Sequence, residues 1–96
     1  MSAIKRPVSR YPCLVRPADL AEAARVRADL KSGAARQARI DAGVSGAEVA
    51  RELQRRGHPV TPQAVFYWET KQNQPTVEHA LAYGRVLAAL KAKRAA

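Results

Sequence analysis

Cysteine, histidine, acidic and aromatic residues are all scarce in this 96-residue chain. The one cysteine, Cys13, excludes an internal disulfide framework and fits a reducing cytosol. The two histidines, His58 and His79, stand far apart in the sequence, and with Cys13 alone they give no zinc-ligand spacing. Aromatic residues make up 5% of the chain, so its core is expected to be thin and helical. No apolar run approaches the roughly 20 residues of a membrane-spanning helix. Met1 to Arg10 is basic, but no apolar segment follows it, so no signal peptide is expected. There is no G-x-x-x-x-G-K-S/T phosphate loop, and the serines occupy turn and cap positions with no evident base beside them. These absences argue against an enzyme, a cofactor, a bound metal or a small-molecule substrate.

What is abundant is positive charge. Lysine and arginine number 17 against 8 aspartates and glutamates, a formal net charge of +9. So strong a field on so small a protein points to polyanions as partners. Arginine and alanine enrichment also follows from GC-rich coding, so charge alone does not decide the matter. Apolar residues reach 47%, enough for one folded domain.

Residues 1–17 read as an extended basic arm. Pro7, Pro12 and Pro17 forbid a helix there, and Lys5, Arg6 and Arg10 supply its charge, with Tyr11 to Val15 reading as a short edge strand. Residues 18–93 read as a single all-α domain of about five helices, near 19–31, 33–42, 46–56, 62–70 and 77–93. In the first, Leu20, Ala23, Ala24 and Leu30 form a weak apolar stripe. Ser32 is the expected cap of the second, which Gly43 stops. Ser45-Gly46-Ala47-Glu48 is a capping box, followed by an inward stripe of Val49, Ala50 and Leu53. Glu48 and Glu52 lie beside Arg51 and Arg55 in an ordinary i,i+4 charge pattern. Thr61-Pro62 opens the fourth helix, with Val65 and Trp68 facing inward. The last helix is apolar around much of its circumference, through Val77, Ala80, Leu81, Tyr83, Gly84, Val86, Leu87 and Leu90. It therefore needs a second packing partner, either the helix 19–31 or another subunit.

Two capped helices within about 26 residues are suited to present the first turn of the second one to a DNA major groove. A glutamine there, Gln63, can bond both edge atoms of adenine.

The stretches ARQARIDAGVSGAEVAREL, VTPQAVFYWE and QPTVEHALAYGRVLAAL resemble the helix-turn-helix domain of the Cro/cI-like (XRE-type) phage repressors, over roughly Gly33 to Leu90. The resemblance implies an all-α, lambda-repressor-like domain. It implies an ion pair between Arg39 and Glu69 that locks helix to helix. It also implies base contacts from Pro62, Gln63, Phe66 and Tyr67. Phosphate contacts are expected from Thr61, Arg36, Arg51, Arg55, Arg56, Lys71 and Asn73, and from the arm residues Lys5, Arg6 and Arg10. There are two departures from the family pattern. Gly46 stands where the family carries a phosphate-gripping glutamine, and the connection from Leu53 to Val60 is longer by about five residues. Arg55 and Arg56, in that connection, are expected to clamp a phosphate. The implied function is a sequence-specific double-stranded DNA-binding transcriptional regulator, a repressor acting as a homodimer in a bacterial or phage-encoded cytoplasmic setting. The alternative is an antitoxin-type protein that combines DNA binding with a toxin or other protein partner.

Overall fold

Local capping chemistry sets nearly every helix boundary. The computed structural model describes residues 16–95, so Lys5, Arg6, Arg10, Cys13 and the suggested strand at 11–15 lie outside the described residues. Among the described residues there are five α-helices and no strand: α1 (Pro17–Ser32), α2 (Ala34–Asp41), α3 (Gly46–Arg55), α4 (Pro62–Glu69) and α5 (Val77–Ala95). The first helix begins two residues earlier than its composition suggests, because Pro17 occupies its first position and the Arg16 N–H is taken by Asp19 Oδ2 at 3.3 Å. Ser45 Oγ accepts from the Glu48 N–H at 3.0 Å while Glu48 Oε1 accepts from the Ser45 N–H at 2.9 Å, so the capping box closes in both directions. The cap position of α2 falls to Gly33, one residue later than expected; Ser32 still serves both helices, its hydroxyl donating to Asp29 O in α1 and accepting from the Ala34 N–H that opens α2.

The ends of α2, α3 and α4 share one pattern of closure. The N–H of Val44 reaches Arg39 O (3.1 Å), that of His58 reaches Leu53 O (2.9 Å), and that of Gln72 reaches Tyr67 O (2.9 Å). One residue earlier, Gly43, Gly57 and Lys71 donate to Ile40, Gln54 and Trp68. This closure needs a left-handed residue, usually glycine. Gly43 (φ +74°) and Gly57 (φ +93°) fit that need, whereas α4 uses Lys71 at φ +69°.

The core lies between α3, α4 and α5. Its most deeply buried side chains are Tyr83, Leu53, Val49, Val65 and Val86. The longer connection from α3 to α4 is tied into this core, with Val60 buried and its carbonyl accepting from Gln54 Nε2 at 2.8 Å. The inward face of α1 is not the stripe read from its composition. Asp19, Ala23, Val26 and Leu30 face inward at i, i+4, i+7 and i+11, while Leu20 and Ala24, one position round the helix, are exposed. That face covers the apolar surplus of α5, with Ala23 packing on Ala80 and Leu81 beside Val26 and Val77. Of the two partners open to α5, the helix within the same chain is the one observed.

Close approach of α1 and α5 depends on Gly84. A Cβ built there would stand 2.7 Å from Val26 Cγ2, and valine has little χ1 freedom with which to move away. Gly84→Ala should improve helix propensity by about 1 kcal/mol. Overpacking should cost about 1–3 kcal/mol, leaving a net destabilisation of roughly 1 kcal/mol. Urea denaturation measures it, and Val26→Ala in the same chain should restore much of the loss. A single Gly84→Ala variant more stable than the parent would show that the two helices separate easily.

Candidate nucleic-acid interface

The candidate surface is built on α4, whose inward and outward faces differ sharply. Thr61 Oγ1 accepts from the Ala64 N–H at 3.1 Å, and Pro62 takes the first helical position. Thr61, placed in the sequence among the phosphate contacts, thus has its oxygen engaged as a helix cap. Val65, Trp68 and Glu69 are buried. Pro62, Gln63 and Phe66 are exposed, Phe66 at 56%. Tyr67 is half-buried rather than fully outward, with its ring centroid 6.0 Å from that of Phe66. Gln63 is not free either, since its Nε2 donates to the Tyr67 hydroxyl at 2.7 Å. From Thr61 to Gln74 the only acidic residue is Glu69, which is buried. The exposed side of α4 and the loop after it therefore carry no carboxylate.

Glu69 turns inward into a network that holds α4 in place. Its Oε2 accepts from Arg39 Nε at 2.8 Å and its Oε1 from Arg39 Nη2 at 2.7 Å, a bidentate pair with side chains only 12% and 3% exposed. Arg39 Nη1 donates to Val44 O at 2.8 Å, and the Tyr83 hydroxyl donates to Glu69 Oε2 at 2.7 Å. Arg39 of α2 and Tyr83 of α5 thus meet at the α4 carboxylate, and Arg39 ties the α2–α3 turn to the same network. The hydrogen bond to Glu69 raises the Arg39 pKa above its ordinary value. Burial, then the bond to Glu69, pushes the Tyr83 phenol well up, so it stays a donor at every working pH. The tyrosine's part in this network has no local signature in the sequence, being 14 residues from Glu69.

The residues expected to contact phosphate divide into paired and free groups. Arg36, Arg51, Lys71 and Asn73 are exposed. Arg55 and Arg56, expected as a phosphate clamp, are instead drawn onto Glu52. Arg56 Nε stands 2.9 Å from Glu52 Oε2, and Arg55 bonds both carboxylate oxygens. These bonds, Arg55 first and then Arg56, lower the Glu52 pKa to about 2. Glu48 does not take part in the i,i+4 pattern with α3 arginines. It accepts from the Ser45 N–H and from Arg94 at the far end of α5, both of which lower its pKa. Arg94 also donates to Gly43 O at 2.6 Å. Two further arginines escaped the sequence reading. Arg85 bridges the buried Asp19 (3.3 Å) and Glu22 (3.2 Å), and Arg27 donates through Nε and Nη2 to Pro75 O at 3.0 and 2.8 Å. Partners so distant along the chain leave no periodic trace. Gly46 has ordinary room for a side chain, its nearest neighbour being Val65 Cγ1 at 3.8 Å from a built Cβ.

Far apart in sequence, His58 and His79 are neighbours in space. Their ring centroids are 5.8 Å apart, edge to face, and His58 Nδ1 stands 4.0 Å from Glu78 Oε2. No group of three or more possible metal ligands forms among the described residues. No helix among them is long and apolar enough to cross a membrane.

The described residues thus define an all-helical basic domain that displays one short, capped helix whose exposed face carries no carboxylate. No family model, no curated protein and no solved structure matches the chain.

Proposed function

We propose that this protein is a sequence-specific double-stranded DNA-binding transcriptional regulator of the Cro/cI-like helix-turn-helix type, acting as a repressor and reading the major groove with α4. The observation that carries the reading is the outward face of α4. It shows Gln63 and Phe66 to solvent, has no exposed carboxylate, and is held from behind by the Arg39–Glu69–Tyr83 network. A helix of this size fits the major groove, and with Pro62 lacking an N–H and Ala64 donating to Thr61, its first turn keeps the Gln63 N–H for a phosphate. Gln63 would exchange its bond to Tyr67 for the edge of adenine, and Phe66 would meet a thymine methyl. Arg36 and Arg51 would meet backbone phosphates. The net charge of +9 supplies the long-range attraction. Two copies would occupy half-sites about 10 bp apart or a multiple of that. Because α1 covers the broad apolar face of α5, that face is not the one through which the copies would meet.

Selection of binding sites from random duplex DNA at near-physiological salt tests the reading. A short motif, palindromic if two copies bind, is the expected result. Recovery of no motif, with equal affinity for unrelated duplexes and a steep salt dependence, would replace it with binding by charge alone. On the recovered site, Gln63→Ala should relax discrimination at one or two base positions by roughly 1–3 kcal/mol while melting stays unchanged. Equal loss on every sequence would remove Gln63 from direct readout.

A further inference from the structure

The C-terminal end of α1 meets the loop after α4 around a cleft of about 130 Å³. Its floor is Leu30 and Trp68, both almost wholly buried. Its rim carries three cations, Arg27 and Lys31 from α1 and Lys71 from the loop, together with the Asn73 amide, and no carboxylate is among its lining residues. Arg27 and Lys31 stand four apart on one face of α1, and the bonds from Arg27 to Pro75 O hold that guanidinium over the cleft. Like charges converge here with no carboxylate among the described residues lining the cleft, although much of the chain's acid is matched with arginines elsewhere. Lys71 adds a second observation. It occupies the left-handed position that closes α4, where the equivalent positions after α2 and α3 are Gly43 and Gly57. A lysine is strained in that conformation and a glycine is not. The strained residue is the one that brings a charge to the cleft.

We propose that this cleft seats one phosphate of the DNA backbone, making α1 part of the nucleic-acid interface through Arg27 and Lys31, with Lys71 and Asn73 completing the seat. The inference rests on the DNA-binding reading above. The occupant follows from position and charge. The eight residues of α4 span about 12 Å. The major groove is about 12 Å wide. With α4 set across the groove, a duplex on its outward face has a backbone strand beside the C-terminal end of the helix, next to the loop residues Lys71 and Asn73 that line the cleft. The apolar floor suits the deoxyribose next to the phosphate.

Binding of the full chain to its selected duplex, measured over a range of salt, tests the seat. Lys31→Gln should weaken binding several-fold on every sequence alike and lower the salt slope by about 1, with melting unchanged. Arg25→Gln, which removes the same charge from the opposite side of α1, should leave the slope as it is. Lys71→Gly is the most telling variant, since relief of backbone strain should raise its melting temperature while its DNA affinity falls. Equal effects of Lys31→Gln and Arg25→Gln, or a Lys71→Gly variant that binds as tightly as the parent, would overturn the seat and leave the function standing. A parent protein with no affinity for duplex DNA would overturn both.

Discussion

Trp68→Ala is expected to destabilise the protein by about 3–5 kcal/mol, the cost of truncating a large buried aromatic. Domains of this size are commonly stable by only about 5–15 kcal/mol, so the variant should lie close to unfolding at physiological temperature. Trp68 is 7% exposed, and its ring packs edge to face on Tyr83 at 6.2 Å and against His79 at 5.9 Å. It stands at the junction of α4 and α5, so the cavity would open beneath the proposed reading helix. Urea denaturation followed by circular dichroism measures the loss, since the variant has no tryptophan left to fluoresce. Trp68→Phe, which keeps a ring in the core, should lose much less. A Trp68→Ala protein that melts like the parent would place the indole on the surface, against the packing described here.

Glu69→Ala should cost a similar amount, about 3–5 kcal/mol, for a different reason. Removing the carboxylate leaves the Arg39 guanidinium nearly buried without its counter-charge and deprives the Tyr83 hydroxyl of its acceptor. An unmatched buried charge costs more than the intact pair contributes. The combined change Arg39→Met, Glu69→Leu and Tyr83→Phe should therefore be far less harmful than Glu69→Ala alone, although it removes more polar groups. Additive losses across the set would show that each residue acts through its own packing rather than through a shared network. A triple variant that folds also isolates the role of the lock in DNA binding, because α4 would keep its outward residues and lose the bonds that orient it.

The parts of the fold legible in the sequence are those governed by neighbours along the chain. Ser45 with Glu48, Thr61 with Pro62, and the glycines at 43 and 57 mark helix ends because their hydrogen bonds span only a few residues. The inward stripe of Val49, Ala50 and Leu53 was equally plain, since the helical period places them together. Short polar residues at a helix junction were less clear. Ser32 has the chemistry of a cap for α2, yet Gly33, free to adopt φ +90°, takes that position. In α1 the apolar signal is weak, and one position of rotation decides whether Leu20 or Asp19 faces inward. The salt bridges from Arg85 to Asp19 and Glu22 are part of that choice, and α1 alone cannot reveal them.

The candidate site shows the same division. Gln63 and Phe66 are readable as outward residues from the inward spacing of Val65 and Trp68. Whether a given arginine is free or engaged depends on which carboxylate packing brings within reach of a long, flexible side chain. Arg55 and Arg56 turn to Glu52, Arg94 crosses to Glu48, and Arg27 finds the Pro75 carbonyl, while Lys31 and Lys71 converge with no acid between them.

By itself, then, the amino-acid sequence determined an all-helical domain over residues 18–93, the chain's strong positive charge and the start and stop of most helices, because caps, turns and helical periods act over a few residues. Only the tertiary structure decided that α1 covers the apolar surplus of α5, that Tyr83 joins Arg39 and Glu69, and that the acid-free cleft forms beside α4. Those outcomes depend on how separate helices pack, and packing joins groups that no local pattern connects.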